Sequence, residues 1–106
     1  MKHLKTIAIA ALAVAALATA GTAQADPAGI AHSSRSACAQ IHANPSTDGV
    51  AATIQAMTSY NLTAQDMMNV LRYAENVTCP DIRPIIAQAS YDYNGWYGGV
   101  LLNELS

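Results

Sequence analysis

Apolar positions divide this chain into one long run and a series of short helical stripes. Ile7 to Ala20 is uncharged and apolar but for Thr19, and Lys2, His3 and Lys5 stand before it. A basic start, an apolar stretch and the small-residue set Ala23-Gln24-Ala25 together have the layout of a Sec-type signal peptide. The stretch is shorter and richer in alanine than the roughly 20 strongly apolar residues a spanning helix needs. Cleavage after Ala25 is therefore expected, with Asp26 as the new N-terminus and no transmembrane segment in the mature chain.

From Asp26 onward the apolar stripes have helical spacing. Ile30, Ala37, Cys38 and Ile41 fall at i, i+7, i+8 and i+11, with Ser33, Ser34, Arg35 and Gln40 filling the polar side of an expected first helix. That helix should stop at Asn44-Pro45, because proline cannot continue the hydrogen-bond ladder and pushes the residue before it out of helical geometry. A second helix, capped by Ser46, Thr47 or Asp48, carries Val50, Ile54 and Met57 on one face and ends in Ser59-Tyr60-Asn61. The third start has the most local support: Thr63 as N-cap, Asp66 three residues on, and Leu62 and Met67 at the two hydrophobic-staple positions. Met67, Leu71 and Ala74 mark its inner face, with Met68 and Val70 beside them, and it should end near Val77, before Cys79-Pro80. A fourth helix is expected from around Asp81 to Pro84, with Ile82, Ile85, Ile86 and Ala89 buried.

After Ser90 the pattern changes. Tyr91, Tyr93, Trp96 and Tyr97 alternate with Asn94, Gly95, Gly98 and Gly99, and the chain closes on Val100, Leu101, Leu102 and Leu105. The expected fold is all-α: a small bundle of three to four short helices with one disulfide and an irregular aromatic C-terminal tail. The expected organisation is a signal peptide at 1–25 and a single small helical domain at 26–106, its aromatic and glycine-rich tail at 91–106.

Size and composition sharpen this picture. Residues 26–106 make 81 of the 106 positions, a length at which a hydrophobic core alone gives modest stability. Both cysteines lie in that part, export would place them in an oxidising compartment, and two cysteines allow a single intramolecular pairing, Cys38 with Cys79. A redox or metal-binding thiol pair would call for C-x-x-C spacing or clustered histidines, and neither is present. The same residues carry three cations (Arg35, Arg72, Arg83) against seven carboxylates (Asp26, Asp48, Asp66, Glu75, Asp81, Asp92, Glu104), a balance of −4 with no lysine. Nucleic acid, which is bound through Lys and Arg, is not an expected partner.

Cys38 to Ser46, a cysteine followed by a helix end and an Asn/Ser-type turn, precedes a helix and then the start Leu62-Thr63-Ala64-Gln65, and the segment closes in Cys79-Pro80. Over about 38–86 this punctuation resembles the small exported mycobacterial proteins grouped as domain of unknown function 732. That family has a longer apolar helix before its first cysteine, where this chain offers only Asp26 to Ala37. The resemblance implies export, a helical domain and the disulfide, and it implies no activity.

Candidate chemistry is sparse. His32 and His42 match no metal spacing and read as exposed, non-catalytic side chains, so no metal or cofactor is expected. Met57, Met67 and Met68 read as core filler. The acidic pairs Asp66 with Glu75 and Asp81 with Asp92 are the only hint of acid/base work, which makes a small secreted hydrolase the alternative reading. The leading expectation is a secreted or envelope-associated interaction module that contacts a protein, glycan or lipid through Tyr91, Tyr93, Trp96 and Tyr97. Aromatic side chains with polar tips suit such contact, but a domain this small also needs large apolar side chains to bury, and capping the core is the stronger reading of these residues.

Overall fold

Proline in the first turn opens the first element, where its missing amide leaves no hydrogen bond unmade. The computed structural model describes residues 27–105, so the expected signal peptide and its cleavage point between Ala25 and Asp26 lie outside the described residues. Helix α1 (Pro27–Ala43) is followed by α2 (Thr47–Ser59) and α3 (Ala64–Tyr73); α3 runs into a π turn, Ala74–Thr78. A short 3-10 turn, Pro80–Ile82, leads to α4 (Arg83–Asp92), and a single helical turn, α5 (Leu102–Leu105), closes the chain. The fold is all-α with no strand among the described residues, and none of these helices is long and apolar enough to cross a membrane.

Local chemistry accounts for most boundaries. Ser46 is the cap of α2, its hydroxyl accepting the Gly49 amide at 3.3 Å. Thr63 caps α3 by accepting the Asp66 amide at 3.1 Å, and the staple residues Leu62 and Met67 are both buried beneath that cap. Helix α2 ends in a left-handed residue, Asn61 (φ 65°), with the Leu62 amide on Met57 O and the Asn61 amide on Thr58 O. That is a Schellman cap, and the buried Leu62 and Met57 supply its hydrophobic contact.

Helix α1 lies at the centre, packed by α2, α3, the π turn and the 3-10 turn. Ala37, Cys38 and Ile41 are buried as their spacing predicts, but Ser33, Ser34 and Gln40, expected on the polar side, are buried too. The reason is that neighbours on several sides leave α1 no broad solvent face. Ser34 shows how a small hydroxyl tolerates this: it donates to Ala31 O at 2.7 Å and accepts from Thr78 Oγ1 at 2.7 Å. Around α1 the core is completed by Val50, Ile54, Met57, Leu71, Ile82 and Ile86.

Two contacts set how closely these helices approach. Cys38 and Cys79 are bonded, with Cα atoms 6.1 Å apart across 41 residues of sequence. At the α1–α2 corner, a Cβ on Gly49 would sit 1.8 Å from the Asn44 carbonyl oxygen, so no larger residue fits without moving the backbone. Breaking the bond with the Cys38→Ser/Cys79→Ser pair is expected to cost about 4 kcal/mol in denaturant unfolding, from the entropy restored to the open chain. Gly49→Ala should cost about 2 kcal/mol or more and lower the melting temperature by about 10 °C, because the clash is with main chain and not with a yielding side chain.

Candidate functional site

The aromatic tail is built on the end of α4. Tyr93 caps that helix, Asn94 follows in left-handed geometry (φ 56°), the Gly95 amide bonds Ser90 O at 2.7 Å and the Asn94 amide bonds Tyr91 O at 3.3 Å. This second Schellman cap reverses the chain and fixes where the tail begins. Tyr97 and Val100 then exchange both backbone hydrogen bonds, at 3.0 and 2.9 Å, across the two-residue turn Gly98-Gly99. Both glycines have positive φ, 57° and 91°, as a type I′ hairpin turn requires.

That one hairpin pair sorts the aromatic residues. Side chains alternate across an antiparallel pair, so Tyr97 and Val100 face inward while the flanking Trp96 and Leu101 face out. Val100 is fully buried, Tyr97 packs on the core, and Trp96 and Leu101 are 56% and 41% exposed. Of the four residues expected to contact a partner, Tyr93 and Tyr97 serve packing: their rings meet at 4.6 Å, and Gln55 Nε2 of α2 donates to the Tyr97 hydroxyl. Tyr91, 81% exposed, and Trp96 are left for contact.

Carboxylates gather beside them. Thr47, at the start of α2, donates through its hydroxyl to Asp92 Oδ2, and Gln88 Nε2 donates to Asp92 Oδ1 at 2.9 Å, which joins the first turn of α2 to the last turn of α4. The Tyr93 hydroxyl titrates above its ordinary value through burial, with the Asp48 carboxylate, Tyr97 and the Asp92 carboxylate adding to the rise. Sequence reading overlooked Asp48, Asp92 and Leu101 as parts of this surface. Asp92 alone left a signal, an acid in the last turn of an expected helix, where the helix dipole disfavours it.

The expected carboxylate pairs do not form. Asp66 and Glu75 are nine residues apart along α3 and its π turn, which places them on roughly opposite faces. Asp81 Oδ2 instead lies 2.7 Å from His42 Nε2, while Asp92 is held by Thr47 and Gln88. Glu75 is 3% exposed, with Oε2 unpartnered among the described residues. It lines an open depression of about 470 Å³ with Asn76, Arg83, Pro84, Ala87 and Leu105, a lining that holds no second carboxylate among the described residues. Arg83 ties the π turn to α4, its Nε donating to Glu75 O at 3.0 Å and Nη2 to Asn76 Oδ1 at 2.7 Å.

The histidines stand apart, ten residues and about 15 Å along α1. His42 is exposed, but His32, expected to be exposed, is half-buried with Nε2 unpartnered among the described residues, again because α1 is enclosed by its neighbours. His42, Cys79 and Asp81 bring donor atoms within 4.8 Å of one another, yet the Cys79 sulfur is committed to the disulfide and offers no thiolate. Comparison with known proteins returns no family model, no curated protein and no solved structure that matches this chain.

Burial raises the Glu75 carboxyl above its ordinary value, more than Arg83 and Arg72 lower it. Between the ordinary value of 4.5 and the raised one, the folded state holds more protons than the unfolded state, so this group's contribution to stability falls as pH rises. Glu75→Gln should remove that slope. In urea titrations the variant is expected to be more stable than the parent at about pH 7.5 and close to it at about pH 3.5, where both states of the parent are protonated.

Proposed function

We propose that this chain is a secreted or cell-envelope-associated small helical protein that acts by binding, without catalysis, and that its contact surface is the aromatic tail. On this reading residues 1–25 are a Sec-type signal peptide, the mature chain begins at Asp26, and the protein belongs with the exported mycobacterial family of domain of unknown function 732. The partner is a protein, glycan or lipid of the envelope or medium.

One observation carries the binding assignment. Trp96 stays 56% exposed on a hairpin whose inner residues are locked to the core. A tryptophan left in water forgoes the burial that an 81-residue domain most needs. Held on a rigid support, it offers large apolar area with little conformational entropy to lose on binding. The hydrolase alternative finds no such support, because its carboxylate pairs are dispersed or engaged elsewhere.

Intact-mass analysis of the protein recovered from medium and envelope tests the first half of this proposal. A chain starting at Asp26, inert to alkylation until reduced, is the expected result; retention of Met1 to Ala25 or two freely alkylated thiols would overturn it. For the second half, cross-linking to envelope components is expected from the parent and lost from a folded Trp96→Ala variant. Undiminished cross-linking by that variant would remove the tail from the contact surface.

A further inference from the structure

The exposed aromatic residues share their end of the molecule with two carboxylates that pair with no cation among the described residues. Asp92 occupies the last turn of α4, which has no basic residue, so its charge adds to the negative end of the helix dipole. Asp48, in the first turn of α2, is brought to the same place by the Thr47–Asp92 hydrogen bond, and both carboxylates act on the Tyr93 hydroxyl. None of the described cations belongs to this end: Arg35 is in α1, Arg72 in the last turn of α3, and Arg83 opens α4, about 13 Å along the axis from Asp92. Arg72 and Arg83 are, moreover, the two cations that act on Glu75.

We infer that the occupant of this surface is a lysine- and arginine-rich segment of a partner protein, drawn by Asp48 and Asp92 and seated against the faces of Trp96 and Tyr91. The inference rests on the binding role proposed above and names the class of partner. A cationic side chain answers two features together: an acid at a helix C-terminus that, among the described residues, is met by the neutral donors of Thr47 and Gln88 and by no cation, and the exposed π faces of Trp96 and Tyr91. Cation–π contact and charge pairing act together there, since a guanidinium or ammonium on the ring face also lies within the field of the carboxylates. A neutral glycan would use the rings and leave the charges unanswered; an anionic membrane would be repelled by them.

Trp96 is the one tryptophan of the sequence, so intrinsic tryptophan emission reports on this surface alone. The disulfide-bonded protein would be titrated with a Lys/Arg-repeat peptide, a Gly/Ser peptide, a chitin oligosaccharide and phosphatidylglycerol vesicles. The expected result is a saturable shift with the basic peptide only, weakened as NaCl rises from about 50 to about 500 mM. Calorimetry should show affinity falling about tenfold in Trp96→Ala and in Asp48→Asn/Asp92→Asn. Asp66→Asn/Asp81→Asn, which removes the same charge elsewhere, should leave it unchanged. Circular dichroism and thermal melts confirm that each variant is folded. A response to the oligosaccharide or vesicles without one to the basic peptide would overturn the inference and leave the tail as the contact surface. Equal weakening by the two double variants would reduce the effect to net charge and also overturn it. No shift with any probe, together with undiminished cross-linking by Trp96→Ala, would remove both readings.

Discussion

Cys79, which bonds Cys38, stands outside helical geometry, and the residue that follows is the reason. Pro80 supplies no amide to a ladder and disfavours helical angles at its predecessor, and Cys79 accordingly sits at φ −147° and ψ 75°. One wide turn precedes the break, closed by the Cys79 amide on Ala74 O at 2.7 Å. The sulfur bridge then fastens the end of the π turn to the middle of α1. His42 and Asp81 make a second fastening beside it, from the last turn of α1 to the 3-10 turn. With α1 pinned this way, α2 and α3 close over its sides and α4 is set running from the bridge toward the tail.

A small domain held by such a staple can accept polar groups where a larger one would place hydrocarbon. Ser33, Ser34, Ser36 and Gln40 are all buried on α1, and Glu75 is buried at the π turn. Some of this polarity is compensated locally, as at Ser34 and Thr78. Some is not, and the atoms of Ser33, Gln40 and Glu75 that have no partner among the described residues each draw on the stability that the bridge supplies. The bridge and the polar interior are thus two sides of one balance. Arg83 belongs to the same arrangement, since its guanidinium holds the backbone and side chain of the π turn in register with α4.

The surface that the tail presents follows from a geometrical alternation laid over that frame. The cap at the end of α4 turns the chain, the Gly98-Gly99 turn pairs Tyr97 with Val100, and the pairing sends Trp96 and Leu101 outward. Packing consumes Tyr93 and Tyr97, so the core-capping and contact roles open to the aromatic residues are divided between them by position. The carboxylates come from separate elements, Asp48 from α2 and Asp92 from α4, and share one end of the molecule because those two helices pack against each other, with Thr47 on Asp92.

Helix positions, their caps and the cysteine pairing were legible in the sequence because each depends on neighbours in the chain or on simple counting. Thr63, Leu62 and Met67 specify a helix start among themselves, Pro45 and Pro80 act on their own neighbours, and two cysteines admit one pair. The alternation of Trp96 with Tyr97 was as local as those signals, but it lacked a visible strand pattern; only the Gly98-Gly99 turn and its partner Val100 gave it a direction. The burial of Ser33, Ser34, Gln40 and His32 was decided wholly by tertiary structure. A helix with one modest apolar stripe reads as half-exposed until the number of neighbours is known, and here several elements surround it. For the same reason the approach of Thr47 to Asp92 was beyond the sequence, whereas the separation of Asp66 from Glu75 follows from their spacing along one helix. Spacing along a chain sets which residues share a helix face, while the distance between faces of different helices depends on how the whole bundle packs.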